Sequence, residues 1–159
     1  MTERFHLCRL AAALILLCSG CARNAAVEAT TVLNYNQCQG LEAGLTMVDY
    51  DDVAGIRGGT LLGMTGAADS QGEDSSTDLV LVAISRGEQP TPGYGFTLED
   101  TQRENGTAVV SISWKAPEAG SVLAQMTTHP CLVVGLPRNG IRRVEAVDQS
   151  GASLGSLEL

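Results

Sequence analysis

Leu79-Val80-Leu81-Val82-Ala83-Ile84-Ser85 is the stretch that decides the fold class of this chain of 159 residues. Six of its seven residues are apolar, a composition that indicates a central strand buried on both faces. Short β-branched runs separated by turns follow it, and this pattern is typical of an all-β domain. The stretch therefore predicts a sheet protein with a central strand at 79–85.

The next apolar run predicts a strand that has one buried face. Val110, Ile112 and Trp114 alternate with other residues, which places them on the same face of a strand, with Trp114 in the core. The dipeptide Asn105-Gly106 stands just before this strand and is a strong signal for a hairpin with a type I′ turn.

A second Asn-Gly dipeptide, at 139–140, predicts another hairpin between strands at 132–136 and 141–147. Weaker patterns predict further short strands at 96–98, 122–126 and 154–159. The total is about seven strands, separated by turns. The predicted fold class is therefore mainly β, a small antiparallel β-sandwich or open barrel with one short helix.

The short helix is predicted near Tyr50 to Arg57. Asp49 precedes it as the N-cap, and Gly58 follows it as the stop. Asp51 and Asp52 are favourable in the first turn. The three aspartates lack the glycine and the distal glutamate of an EF-hand loop, so we interpret them as capping residues. The following stretch up to residue 78 is rich in Gly, Ser and acidic residues and predicts an exposed loop.

The N-terminus has the pattern of a secretory signal peptide. Basic residues precede the apolar run Leu10–Leu17, which is too short to cross a bilayer. Ser19 and Gly20, which stand before Cys21, resemble the bacterial lipoprotein cleavage box, in which the cysteine becomes the lipidated first residue. The alternative is an ordinary signal peptide that is cut near Ala22.

The lipoprotein resemblance implies a domain organisation and a location. Residues 1–20 are then the signal peptide, residues 21–31 a tether, and residues 32–159 a single β-rich domain. Because Ala22 rather than Asp follows Cys21, the resemblance implies sorting to the outer membrane. The domain would be held there by its lipid anchor and would face the periplasm.

Beyond Cys21, two cysteines remain, Cys38 and Cys131. Exported proteins meet an oxidising compartment, so these two thiols are predicted to form one disulfide bond. The alternative is two separate buried thiols, since free cysteine behaves as a small hydrophobic residue.

Charge and histidine content argue against several function classes. The formal net charge is −8 and no cluster of Lys or Arg occurs, which argues against nucleic acid as a partner. His129 is the one histidine after the signal peptide, and one imidazole is too few for a two-His metal site. We interpret it as a strand-entry residue before Pro130. We therefore expect no enzyme, no metal and no cofactor.

The segment from about 78 to 137 carries a more specific order of features. A strand is followed by Pro90-Thr91-Pro92-Gly93-Tyr94, then by Pro117 near Gly120, and then by Thr128-His129-Pro130. This order resembles the C-terminal domain of the PrcB-type lipoproteins, which are subunits of surface or periplasmic protease complexes. The resemblance implies a noncatalytic lipoprotein that binds or stabilises an envelope protease or protease complex.

The partner-binding loop is predicted to consist of Gln89, Pro90, Thr91, Pro92, Gly93 and Tyr94. Its two prolines fix two φ angles and Gly93 supplies the positive φ of a tight turn, so the loop is stiff before it binds. Tyr94 then offers an aromatic anchor. The alternative is a rigid hairpin whose Tyr94 packs down on the sandwich.

Two other functions stay open from the sequence. The same string resembles the Asn-Pro-Thr-Thr-Gly-Tyr loop of chagasin-type inhibitors of cysteine proteases, which implies direct inhibition of a protease. Gln89 and Pro92 depart from that loop, and 129–131 lacks the Arg and the aromatic residue of the second inhibitory loop. The remaining alternative is a structural envelope lipoprotein that has no protease partner.

Overall fold

A computed structural model describes residues 25–56 and 78–159. Within these residues two β-sheets pack face to face and one short helix lies beside them. The elements are β1 (Ala25–Ala26), β2 (Thr30–Tyr35), β3 (Gly44–Val48), α1 (Tyr50–Ile56), β4 (Leu79–Ser85), β5 (Gly95–Glu104), β6 (Thr107–Lys115), β7 (Cys131–Pro137), β8 (Arg143–Val147) and β9 (Ser153–Glu158). The prediction of a mainly β sandwich is confirmed, and neither sheet closes into a barrel.

The larger sheet has the strand order β1-β5-β6-β8-β9, and the smaller sheet has the order β2-β7-β4-β3. Neighbouring strands are antiparallel except for β6 and β8, which run parallel with Thr107 opposite Arg143. The predicted antiparallel sandwich needs this one correction. The chain leaves the larger sheet after β6, forms β7 in the smaller sheet, and returns as β8 in the direction of β6.

Strand β4 lies between β7 and β3 and is buried on both faces, as its sequence predicts. Val82 and Ile84 join Val110 of β6 in the main core between the sheets. Leu81, on the opposite face, belongs to a second cluster with Val53 of α1. The central strand therefore needs apolar residues at successive positions, because both of its faces are covered.

The two Asn-Gly dipeptides form different turns. Asn105 and Gly106 both have positive φ angles, 52° and 86°, and they join β5 to β6 in the predicted hairpin. At the second dipeptide Gly140 has a φ of 75° but Asn139 has no positive φ. The chain there crosses from β7 in the smaller sheet to β8 in the larger one, so the predicted second hairpin is wrong.

The predicted strand at 122–126 is also wrong. Residues 121–127 lie outside any helix or strand, and Val122 is fully exposed. The neighbouring strands offer no free edge, because β6 lies between β5 and β8 and β7 lies between β2 and β4. In contrast, the predicted strand at 154–159 is confirmed as β9, which forms an edge of the larger sheet.

Helix α1 confirms the predicted helix and its N-cap. Asp49 Oδ1 accepts a hydrogen bond from Asp52 N–H at 2.7 Å, and Asp52 Oδ2 accepts one from Asp49 N–H at 3.0 Å. This reciprocal pair has the form of a capping box, in which side-chain oxygens satisfy the free N–H groups of a helix start. The predicted stop at Gly58 lies outside the described residues.

The predicted disulfide bond between Cys38 and Cys131 is present, with the two Cα atoms 5.9 Å apart. Both cysteines are fully buried. Cys38 follows β2 and Cys131 begins β7, so the bond fixes the chain after an edge strand to the start of a central strand.

Only some of the predictions for the N-terminal part concern residues that the structure describes. Cys21 and the predicted signal peptide lie outside the described residues, as do residues 58–77 of the predicted loop. Within the predicted tether, β1 pairs with β5, and β2 begins at Thr30. The predicted start of the domain at residue 32 therefore falls inside β2. In the described part of the chain, no helix has the length and apolar character needed to cross a membrane.

Candidate functional site

Two loops cross between the sheets at one end of the sandwich. The loop 86–94 leads from the end of β4 to the start of β5, and the connection 116–130 leads from the end of β6 to the start of β7. Since β4 pairs with β7 and β5 pairs with β6, the four strand ends lie together. We call these two loops the crossing-loop end. It contains all six residues of the predicted partner-binding loop.

Backbone pairing joins the two loops. Gln89 N–H donates to the Thr128 carbonyl at 2.7 Å, and Thr128 N–H donates to the Gln89 carbonyl at 2.9 Å. The hydroxyl of Thr128 also donates to the Thr91 carbonyl at 3.0 Å. Thr128 is buried, with a relative exposure of 3 %. Three hydrogen bonds thus hold the predicted partner-binding loop against the connection between β6 and β7.

Gly93 touches Pro117 across the two loops. Gly93 has a φ of 97°, and a Cβ atom at this position would lie 3.1 Å from Cγ of Pro117. Both the backbone conformation and the close approach therefore favour glycine. The turn Pro92-Gly93-Tyr94 and Pro117, which stand far apart in the sequence, are thus neighbours in the structure.

A second set of hydrogen bonds holds the start of the loop. Gly87 has a φ of 70°, and its N–H donates to Ser85 Oγ at 2.9 Å. The same hydroxyl donates to the Pro130 carbonyl at 3.4 Å. Ser85 is buried at the end of β4, so its hydroxyl connects the loop to the segment that enters β7. The loop is ordered at both ends by contacts within the protein.

Aromatic side chains form the wall behind the loop. The Tyr94 ring stacks on the Trp114 ring with centroids 5.5 Å apart and an interplanar angle of 26°. The Phe96 ring also packs against the Trp114 ring, in a tilted arrangement with the two centroids 4.7 Å apart. The Arg86 guanidinium lies 5.2 Å from the Trp114 ring centroid, a cation–π contact. These rings and one cation form a single packed cluster.

The structure places Tyr94 and Trp114 between the predicted alternatives. Trp114 packs against the main core but is only partly buried, so its prediction as a core residue holds for one side of the ring. Tyr94 is also half-buried. It neither projects freely from the loop nor belongs to the buried core, and it presents an edge of the aromatic cluster to solvent.

Sequence reasoning missed the role of Gln149. Its side-chain Oε1 accepts a hydrogen bond from the backbone N–H of Trp114 at 2.9 Å, and its Nε2 donates to the Trp114 carbonyl at 3.2 Å. The amide thus pairs with the end of β6 beyond the last residue that β8 contacts, which is Ser111. A single glutamine 35 positions away along the chain carries no local signal of this role.

His129 lies at the base of the crossing-loop end. Its backbone N–H donates to the Asn36 carbonyl at 2.9 Å, and its carbonyl accepts from the backbone N–H of Cys38 at 2.8 Å. Imidazole Nε2 is 3.6 Å from Glu88 Oε2, and Nδ1 is buried without a hydrogen-bond partner among the described residues. The backbone contacts support the prediction that His129 guides the chain into β7.

A serine motif absent from the predictions above is Gly151-Ala152-Ser153-Leu154-Gly155, which has the Gly-x-Ser-x-Gly spacing of a nucleophile elbow. Such an elbow places the serine on a sharp turn from a strand to a helix. Here Ser153 begins the edge strand β9 and lies opposite Val147 of β8. The string therefore belongs to an antiparallel pair of strands, which is not the elbow's geometry.

The described residues also contain an open cavity of about 600 Å³ whose lining includes no residue of the two crossing loops. Tyr35, Leu41, Met47 and Ile56 contribute to its lining, and α1 forms one side. Within the described residues no group of three or more His, Cys, Asp or Glu side chains is arranged to hold a metal ion. The cavity borders the end of the described N-terminal part, so we place no site there.

Comparison with known proteins gives a family match, and it covers the crossing-loop end. Residues 80–137 match the family described as PrcB C-terminal. No curated protein and no solved structure matches the chain. The matched segment runs from β4 to the end of β7 and includes both crossing loops. The segment 80–137 is thus similar to the PrcB C-terminal domain family.

Proposed function

We propose that this protein is a noncatalytic, lipid-anchored envelope protein that binds or stabilises a protease or a protease complex. The observation that carries the proposal is the family match at 80–137, a segment that includes both crossing loops. The family resemblance implies association with a protease complex, and the ordered loops provide a surface for that association.

The order of the loop 86–94 supports binding. Its hydrogen bonds to Thr128 and Ser85 and its contact with Pro117 fix the backbone before any partner arrives. A loop that is already ordered loses little conformational entropy when it docks. Tyr94 is half-buried and stacks on Trp114, and Arg86 contacts the same Trp114 ring. The two side chains give the surface an aromatic and a positive group, types that are frequent in binding hot spots.

A deletion strain tests the proposal against direct inhibition. If the protein stabilises a protease, envelope peptidase activity and the amount of the protease fall together in the strain that lacks it. If the protein is an inhibitor, peptidase activity rises, and added purified protein lowers cleavage in a dose-dependent manner. Unchanged activity and unchanged protease abundance contradict both and favour a structural envelope lipoprotein.

A direct binding measurement complements the genetic test. The full-length protein is purified from its own membranes in detergent, and the co-purifying peptidase is identified and assayed. Binding without loss of cleavage is the expected result for a stabilising subunit. A complex that contains no peptidase contradicts the proposed function.

A further inference from the structure

Next to the predicted partner-binding loop lies a segment that the described residues leave largely exposed. We call residues 121–127 the apolar strip. Val122 is fully exposed at 101 %, and Met126 is 52 % exposed. Residues 119–128 contain no Asp, Glu, Lys or Arg, although charged residues make up 18 % of the chain. Exposed apolar side chains that lie close together can mark an interaction surface.

The backbone of the apolar strip is also free to bind. Within the described residues, none of the N–H groups of 122–125 donates to another protein group. The strip is nevertheless held at both ends, because Ser121 N–H donates to the Glu118 carbonyl at 3.1 Å and Thr128 pairs with Gln89. Within the strip, Met126 N–H donates to the Ala124 carbonyl at 3.0 Å. The two ends of the strip are thus fixed, while the N–H groups of 122–125 have no acceptor among the described residues.

The free backbone groups decide between kinds of occupant. Lipid chains would cover the apolar side chains but would leave the N–H and C=O groups without partners, which is costly. A polypeptide can cover the side chains and pair with the backbone at the same time. A second copy of this chain is disfavoured as well, because each copy carries a formal net charge of −8.

We infer that the apolar strip binds an uncharged segment of another polypeptide through backbone hydrogen bonds, with Val122 and Met126 as its apolar contacts. The segment is uncharged because a charge buried against this surface would lack a counterion. The inference rests on the proposed function in that the segment belongs to the partner proposed above. It adds a second binding element beside Tyr94.

Photo-crosslinking tests the inference in the intact envelope. A photoreactive phenylalanine is placed at Val122 in the full-length protein, and a matched control is placed at Met47, which is 53 % exposed on β3. The expected product from position 122 is a crosslink to an uncharged segment of another polypeptide, identified by mass spectrometry. Crosslinks to lipid, to a second copy or to this chain itself, or no product beyond the control, overturn the inference.

Paired variants and hydrogen exchange then test the two parts of the contact. M126K should weaken the affinity for the crosslinked partner about tenfold or more, and M47K should change that affinity less than about twofold. In the complex the amides of 122–125 should exchange more slowly than in the free protein. Equal effects of the two variants, or unprotected amides in the complex, overturn the inference.

The outcomes separate this inference from the proposed function. A crosslink from Val122 to an uncharged segment of a protein other than a protease or a protease-complex subunit supports the apolar strip and contradicts the proposed function. Co-purification of a protease without a crosslink from position 122 supports the proposed function and overturns the inference that the apolar strip binds a polypeptide.

Discussion

At the scale of single residues, the crossing-loop end depends on close contacts between small groups. Gly93 combines a left-handed backbone with contact to Pro117, and the hydroxyl of Thr128 holds the Thr91 carbonyl. The sequence alone predicts that Gly93 needs a positive φ, because it stands in a turn with two prolines. It does not predict Pro117 as the neighbour, since the two residues come from different sheet crossings.

Replacement of Gly93 by alanine should destabilise the protein more than the same change at Gly120. Both glycines have positive φ angles, 97° and 84°, so both variants bear a backbone cost of roughly 1–2 kcal/mol. A Cβ at Gly93 also meets Pro117, whereas a Cβ at Gly120 meets nothing within 4 Å. Denaturant unfolding should show a lower free energy of unfolding for G93A by about 1 kcal/mol or more. Equal losses in the two variants would show that contact of the new Cβ with Pro117 does not lower the free energy of unfolding.

Replacement of Tyr94 by alanine should weaken partner binding more than it weakens the fold. The variant loses the stack on Trp114, which is worth about 0.5–1.5 kcal/mol beyond surface burial. As an anchor, Tyr94 should contribute about 2 kcal/mol or more to binding. Tyr94→Phe keeps the ring and serves as the control. Thermal unfolding and partner affinity are measured on the same preparations, and a loss of stability with unchanged affinity of the folded fraction removes Tyr94 from the site.

At the scale of elements, local signals predict some strands and fail for others. The hairpin at Asn105-Gly106 is predicted correctly because its turn and its paired strands are adjacent in the chain. The dipeptide Asn139-Gly140 has the same composition, but β8 pairs with β6 and β9 instead of β7. The run at 122–126 alternates, but the strands on either side of it in the chain, β6 and β7, each lie between two other strands. Pairing between distant strands decides these cases, and periodicity does not report it.

The turn between β8 and β9 should lose stability in acid. Ser150 donates to Asp148 Oδ1 from its hydroxyl at 2.6 Å and from its N–H at 2.9 Å. These hydrogen bonds, with a further one from Ala152 N–H, lower the pKa of Asp148 below 3.8. A group with a lowered pKa in the folded state stabilises the fold above its unfolded pKa, and the effect is lost as the pH falls through the folded pKa.

Asp148→Asn should therefore reduce the loss of stability that occurs below about pH 4. The amide oxygen keeps an acceptor for Ser150, but it has no charge to titrate. S150A, which removes the hydroxyl donor and keeps the backbone donors, should give a smaller reduction. Urea unfolding at neutral pH and in acid measures both effects. A pH dependence of D148N identical to that of the parent protein contradicts the assignment.

At the scale of the whole molecule, one covalent bond spans most of the fold. The disulfide bond joins residues 93 positions apart, and closure of a loop of this length stabilises the folded state by about 4 kcal/mol through the unfolded state. The variant with both Cys38 and Cys131 changed to alanine should lose about this much free energy of unfolding. Mass spectrometry of the parent protein should find the bonded pair. Equal unfolding midpoints for oxidised and reduced protein would contradict a stabilising bond.

The proposed lipid anchor governs where the molecule acts. Cys21→Ala should abolish labelling by a fatty-acid probe and should move the protein from the membrane fraction to the soluble fraction. Cys18→Ala is the matched control, because this cysteine lies three positions earlier in the same sequence context. Its labelling should stay unchanged. Labelling of the Cys21 variant at the parent level excludes Cys21 as the lipidated residue.

The strand order bears on whether the matched segment, residues 80–137, can fold without the rest of the chain. Residues 80–137 span β4 to β7, which includes central strands of both sheets, but they leave out β2 and β3 beside β7 and β4. Without these neighbours Leu81 and Val133 lose the cluster that covers them. We therefore expect that residues 80–137 of this chain do not fold by themselves. In this chain the boundaries of the family match and of the folded unit therefore do not coincide.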